Sequence, residues 1–201
     1  MLHAVRIVAW GLLIVVAAAA VLATSGVKLP GLTQRALPLA AIIGGPFELA
    51  STSGGAVTSA SLKGKPLAVF FGYTFCPDVC PTTLLDLSTV IKQLGPDADR
   101  MNYLFVSVDP GRDTIEQLKL YLSSFDPHII GATGTELQIA DMARKYHAVY
   151  EKTVGKDGYT ISHTATTYLM DARGQFHSTL AYQENPDTVV AKLKRLIAAS
   201  S

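Results

Sequence analysis

The segment Leu67–Tyr73, LAVFFGY, is uncharged, almost wholly apolar, and stops three residues short of Cys76. A short apolar run without alternation predicts a strand buried on both faces, and hence a sheet covered by helices on both sides. The flanking sequence agrees. Phe47–Ser51 and Ala56–Thr58 flank Gly54–Gly55 as a small hairpin. Thr83–Leu94 carries Leu84, Leu87, Ile91 and Leu94 at helical spacing, and Tyr103–Val108 is a second buried strand. Thr114–Phe125 is a helix for which Asp113 is the candidate N-cap, and Thr135 with Gln138 forms a capping box for a helix through Lys145. Ala148–Thr153 and Thr160–Met170 are strands joined across Lys156-Asp157-Gly158. Asp171–Gly174 turns into Gln175–Leu180. Asn185–Pro186 opens a last helix to Ala198. Strand–helix–strand units imply a parallel pair and hairpins add antiparallel strands, so the expected class is α/β with a mixed sheet and helices on both faces.

Charge divides the chain. Between Met1 and Gly45 the charged residues are Arg6, Lys28 and Arg35; residues 46–201 carry fourteen Lys/Arg against sixteen Asp/Glu. That mildly acidic domain gives no case for nucleic acid. The 17 residues Ile7–Ala23, IVAWGLLIVVAAAAVLA, are uncharged, which is at the lower limit for spanning a bilayer. Two readings compete: an uncleaved anchor with Trp10 near the interface, or a secretory signal cleaved after Ala20 or Ala23. The run exceeds a usual signal core, which favours the anchor. The expected layout is an N-terminal membrane helix or signal over residues 1–26, a Pro- and Gly-bearing linker over 27–45, and one domain over 46–201, placed outside the cytoplasm.

Two cysteines exclude a disulfide-dense scaffold and a four-cysteine zinc site. Both lie in FFGYTFCPDVCPTT. Cys76 follows the buried strand and Cys80 sits at the start of the next helix, where backbone N–H groups and the macrodipole favour a thiolate. Four residues of separation bring the sulfurs to one side of a helical turn, and Pro77 and Pro81 stiffen the segment. Such a pair can exchange a disulfide. With one imidazole it makes a three-ligand site suited to Cu(I), which a fourth ligand adapts to Cu(II) or Zn²⁺. The plain alternative is a structural disulfide or two reduced core cysteines.

Five histidines are available. His3 lies in the leader, His128 in a loop after Asp126–Pro127, His147 at a helix end, and His177 in a late strand facing solvent. His163 stands at the mouth of the segment ATTYLM, where it can face the cysteine loop; spacing alone does not choose it.

The runs FGYTFCPDVCPTTL, VSVDPGRDT and SHTATTYLMDARG, with the opening GGPFEL, resemble the SCO/SenC family from Pro46 to Ile197. A bare C-x₃-C says little, whereas CPDVCP with both flanks is specific. The resemblance implies a thioredoxin-like fold tethered to a membrane and a link to cytochrome c oxidase assembly. It implies one copper per chain, Cu(I) and/or Cu(II), on Cys76, Cys80 and His163. The same cysteines would form a redox-active dithiol or disulfide bond. The implied role is a metallochaperone, rather than an enzyme, that delivers copper to the binuclear site of oxidase subunit II or to another copper enzyme. The alternative is a thiol–disulfide oxidoreductase that reduces the acceptor's cysteines. An upstream copper donor and a thiol reductant are implied partners. The implied location is the periplasmic face of the inner membrane, or the mitochondrial intermembrane space in a eukaryote. A general thioredoxin-like or peroxidase-like enzyme fits less well. The spacing is not C-x-x-C, and Ser162-His163-Thr164 stands where such enzymes carry a cis-Pro.

Two positions depart from the family pattern. Phe75 stands where many relatives carry a polar residue or His, which removes any auxiliary ligand there, and Thr164 replaces a common Ser. In Asp109-Pro110-Gly111-Arg112-Asp113 the acidic residues read as turn and helix-cap chemistry, with Asp109 also able to line the site. Asp78, between the cysteines, is placed to tune their charge or meet a partner.

Overall fold

The computed structural model describes Trp10 and residues 43–200 except Asp157. The rest of the apolar run 7–23, the linker as far as Ile42, and His3 lie outside the described residues. Among the described residues no helix is long and apolar enough to cross a membrane.

Along the chain the elements are β1 (Glu48–Ser51), β2 (Ala56–Thr58), β3 (Leu67–Gly72), α1 (Val79–Leu94), a 3₁₀ turn (Gly95–Arg100), β4 (Asn102–Ser107), α2 (Ile115–Leu122), β5 (Ile129–Thr133), α3 (Glu136–Tyr146), β6 (Tyr150–Gly155), β7 (Gly158–His163), β8 (Thr167–Met170), β9 (Phe176–Leu180) and α4 (Pro186–Ala199). The main sheet runs β2-β1-β5-β4-β3-β8-β9, and β6 and β7 form a separate two-stranded sheet. β3, β4 and β5 are parallel, and the remaining pairings are antiparallel.

β3 lies inside the sheet between β4 and β8 and is buried along its whole length. Its period of two splits the core into two layers. Ala68 and Phe70 meet Leu84 and Leu87 of α1, Leu118 of α2 and Leu193 of α4. Leu67, Val69 and Phe71 meet Ile139, Met142 and Tyr146 of α3. The mixed sheet with helices on both faces is as expected. So are the first hairpin, the reciprocal Thr135–Gln138 capping box, and Asn185 capping a helix with Pro at its first turn.

Three expectations change. No strand is read from the sequence between Phe125 and Thr135, yet β5 lies there as the third parallel strand. Its middle is Gly131-Ala132, which gives no bulky apolar run. A Cβ on Gly131 would lie 2.7 Å from Leu122 Cδ1 and 2.9 Å from Thr52 Cγ2, so close packing demands the missing side chain. Thr160–Met170 is two strands rather than one: β7 pairs with β6, and after a break at 164–166 β8 joins the main sheet beside β3. Finally, Asp113 does not cap α2. Thr114 does, accepting the N–H of Gln117 at 3.2 Å, while the Asp113 carboxylate turns inward.

Candidate functional site

The site forms where β3 ends and α1 begins. Strand β3 delivers the chain through Gly72 and Tyr73 into a turn in which the Cys76 N–H reaches the Tyr73 carbonyl at 3.3 Å. Gly72 is required by close approach: a Cβ there would lie 2.6 Å from Cys80 Sγ and 2.7 Å from Phe105 Cε2. The Cys80 thiol therefore sits directly over the strand end, with no exposed surface, while Cys76 is half-buried. Pro81 falls in the first turn of α1, where its missing N–H has no intrahelical partner to lose.

His163 arrives from the other side as the last residue of β7. Its Nε2 lies 3.2 Å from Cys80 Sγ. Nδ1 lies 3.1 Å from the Thr164 carbonyl, which can only accept. The Nδ1 hydrogen thus goes to that carbonyl, and Nε2 faces the thiols, offering a lone pair in the neutral ring and an N–H to a thiolate in the imidazolium. Phe70 and Tyr73 hold the ring edge-on, with centroids at 6.0 and 5.8 Å. Candidate ligand atoms of Cys76, Cys80 and His163 all lie within 4.8 Å of one another. His163 also lines an open hollow with Val149, Glu151, Ser162 and Thr164.

The two thiols, both free, are unequal. Cys76 is drawn well below the usual thiol range, to about 3, chiefly by a hydrogen bond from Cys80. His163 and the backbone N–H groups of Asp78 and Cys80 at the helix start add to this against the opposing effect of burial. Cys80 is pushed up, first by that same bond to Cys76 and then by burial. The half-buried sulfur is the thiolate and the fully buried one keeps its proton. A thiolate is fully formed above its depressed pKa. Alkylation of Cys76 by iodoacetamide should therefore stay nearly flat from about pH 8 to about pH 5, whereas an ordinary thiol slows about tenfold per pH unit below ~8.5. Cys80 should react only in denaturant. A Cys76 rate that falls with pH like a free thiol would contradict the assignment.

The other residues singled out from the sequence are placed as follows. Asp109 is 1% exposed and receives the Arg112 Nε–H and the Tyr159 hydroxyl. Asp78 is exposed at the start of α1 and makes no side-chain cap. Phe75 is exposed beside Cys76. His147 ends α3 in a left-handed conformation, its N–H returning to the Ala143 and Arg144 carbonyls. His128 bridges Asp126 and Asp99, and His177 faces solvent. Among the described residues, the remaining histidines stand apart from the cysteines, and the group of three is Cys76, Cys80 and His163.

Sequence reasoning missed the support beneath the loop. Asp113, with no exposed surface, accepts the Thr74 N–H at 2.9 Å, the Thr74 hydroxyl at 2.6 Å and the Ser107 hydroxyl at 2.6 Å. Thr74 is two residues before Cys76, so this carboxylate fixes the approach to the site. An acidic residue just before a helix reads locally as a cap, and nothing local signals its distant donors.

Known proteins share this architecture. The SCO2-like protein RC0895 of Rickettsia conorii is 36% identical over 155 residues, 76% of this chain and 76% of that one. Protein SCO2, mitochondrial, of Saccharomyces cerevisiae is 37% identical over 161 residues, 78% of this chain and 54% of that one. The solved structure of Bradyrhizobium japonicum ScoI with copper bound superposes with a TM-score of 0.73 at 51% identity, covering 77% of this chain and 99% of that one. That likeness extends to the helix-flanked mixed sheet, the thioredoxin-like arrangement expected from the motifs. The family description SCO1/SenC matches residues 35–198, a span that includes both cysteines, the Asp109–Asp113 loop and His163, and the chain belongs to the SCO1/SenC family.

Proposed function

We propose that this chain is a copper metallochaperone that holds one copper ion on Cys76, Cys80 and His163 and passes it to the binuclear copper site of cytochrome c oxidase subunit II. The observation that carries the reading is the convergence of two sulfurs and one imidazole nitrogen within 4.8 Å beside an open surface. An ion that binds sulfur at about 2.3 Å spans at most about 4.6 Å between two ligands, so small side-chain adjustments close the set. Two soft ligands and one borderline ligand suit Cu(I). Three ligands leave room for an acceptor's ligand to enter as these leave. The copper-bound ScoI from Bradyrhizobium japonicum supports the choice of metal.

A tether completes the proposal. Residues 1–26 anchor the chain, 27–45 act as a linker, and the domain stands at the periplasmic face of the inner membrane or in the mitochondrial intermembrane space. The apolar run 7–23 and the mitochondrial placement of the yeast relative support this.

A second reading draws on the unequal thiols. A half-exposed Cys76 thiolate beside a buried Cys80 thiol is a nucleophile with a resolving partner. In that reading Cys76 attacks an acceptor disulfide and Cys80 resolves the mixed disulfide. The acceptor gains two thiols, Cys76 and Cys80 become a disulfide, and a thiol reductant restores them.

The test is an anaerobic titration of the reduced full chain with Cu(I), followed by mixing with the copper domain of subunit II. One copper per chain is expected, appearing on the acceptor after mixing. Cys76→Ser and Cys80→Ser should each drop retention to adventitious levels. Copper that stays at full stoichiometry in both variants would refute the site. Acceptor reduction without copper movement would favour the reductase.

A further inference from the structure

Arg112 lies between the two segments that carry the candidate ligands. Its guanidinium carbon is 3.7 Å from the ring centre of Tyr159, 4.7 Å from that of Phe75 and 5.7 Å from that of Tyr73. Phe75 immediately precedes Cys76, and Tyr159 lies on β7 four residues before His163. Hydrogen bonds follow the same path. Arg112 Nε donates to Asp109, Nη1 donates to the Tyr159 carbonyl at 3.1 Å, and the Tyr159 hydroxyl donates to the other Asp109 oxygen at 2.7 Å. Nη2 is buried and makes no hydrogen bond among the described residues.

The β6–β7 arm shares no ladder with the main sheet. It is fastened through side chains: the Ile161 N–H reaches the Tyr73 hydroxyl at 3.3 Å, and Arg112 and Asp109 grip Tyr159. A planar, weakly hydrated guanidinium can stack and hydrogen-bond at once, which an ammonium cannot. Asp109, buried, needs that cation and that hydroxyl.

We propose that Arg112 is a positioning residue for His163: set over the rings of Phe75 and Tyr159 and bound to Asp109, it latches the β6–β7 arm to the cysteine loop and sets how readily cargo copper leaves. The inference rests on the Cys76–Cys80–His163 copper reading. It separates two functions. Loosening the latch withdraws the imidazole, while the sulfurs, which belong to the β3–α1 junction, keep their places. Phe75 gains a role here that its departure from the family pattern concealed: its ring ties the guanidinium to the cysteine loop.

The test uses the reduced full chain loaded with Cu(I), the rate of copper loss to a chelator, and the dithiol–disulfide midpoint potential. Arg112→Lys keeps a cation beside Asp109 but loses the stack. It should speed copper loss about 10- to 100-fold, the usual effect of removing a partner behind a ligand, with an unchanged midpoint. In a His163→Ala background the same substitution should have no further effect, because it acts through a group already gone. An Arg112→Lys chain that loses copper at the wild-type rate, or that adds its full effect without His163, would overturn the proposal. If Arg112→Lys does not fold, Phe75→Ala serves, since that ring is 55% exposed and supports no core. It should give a smaller change in the same direction, silent without His163; no change overturns the proposal. A wild-type chain that holds no copper overturns the site and the latch together. A wild-type chain that holds copper beside indifferent variants overturns the latch alone.

Discussion

His163→Ala is expected to weaken copper retention by about a hundredfold or more while the Cys76–Cys80 dithiol–disulfide equilibrium stays near its wild-type position. Removing a group behind a ligand commonly costs about 10- to 100-fold, and a ligand itself should exceed that. The separation follows from where the three groups are anchored. Both sulfurs belong to the β3–α1 junction, where Gly72 leaves room for Cys80 and the Asp113 carboxylate holds Thr74. His163 belongs to the β6–β7 arm, which has its own ladder. The imidazole does help hold the Cys76 thiolate, but the hydrogen bond from Cys80 is the larger influence and survives the substitution. Copper retention by chelator competition and the midpoint potential by thiol–disulfide equilibration measure the two properties on one preparation. Unchanged retention would remove His163 from the ligand set. A midpoint that moves in step with retention would show that arm and loop do not act separately, and would return weight to the reductase reading.

What the sequence reveals here is local. The apolar run of β3, the helical spacing of α1, the Thr135–Gln138 box and the Asn185–Pro186 start are set by neighbours a few residues apart, and each is where periodicity and capping chemistry place it. The cysteine pair is legible for the same reason: a strand end, a helix start and two prolines all lie within one short segment. His163 is not legible from spacing, because its meeting with Cys80 spans 83 residues. Only the resemblance to a known family singles it out. β5 escapes notice because close packing demands a glycine at 131, which cuts its apolar run to Ile129–Ile130. The apparent single strand 160–170 divides because its halves pair with different partners, β6 and β3, and pairing leaves no mark on local hydropathy. Arg112 reads as an ordinary turn residue until the rings of Phe75 and Tyr159, 37 and 47 residues away in the chain, are seen against it.

Asp113→Ala should be among the most destabilising single changes at the site, at about 3–5 kcal/mol. Read as a helix cap, the residue would be worth about 1 kcal/mol. Its surroundings give a larger value. With no exposed surface, the carboxylate accepts from the Thr74 N–H, the Thr74 hydroxyl and the Ser107 hydroxyl. Hydrogen bonds to a charged group contribute about 1.5–3 kcal/mol each, and a buried donor left without an acceptor costs about 1–3 kcal/mol. Alanine removes one side chain and strands three donors, and water that enters the gap recovers part of the loss. Asp113→Asn keeps the shape but turns an amide N–H₂ towards donors, so about 1.5–3 kcal/mol is expected. Against a total stability of roughly 5–15 kcal/mol, the alanine variant uses up much of the margin. The effect reaches the chemistry through Thr74 and Ser107. Ser107 Oγ also receives the Asp109 N–H at 3.0 Å, so one buried carboxylate joins the end of β4, the Asp109 turn and the approach to Cys76. Urea unfolding of the full chain, read at constant m, measures the stability loss, and iodoacetamide reactivity near pH 5 measures the loop. A loss near 1 kcal/mol with normal Cys76 reactivity would restore Asp113 to the rank of a simple cap. A loss three times larger, with Cys76 reverting towards an ordinary thiol, would make it the support on which the cysteine loop rests.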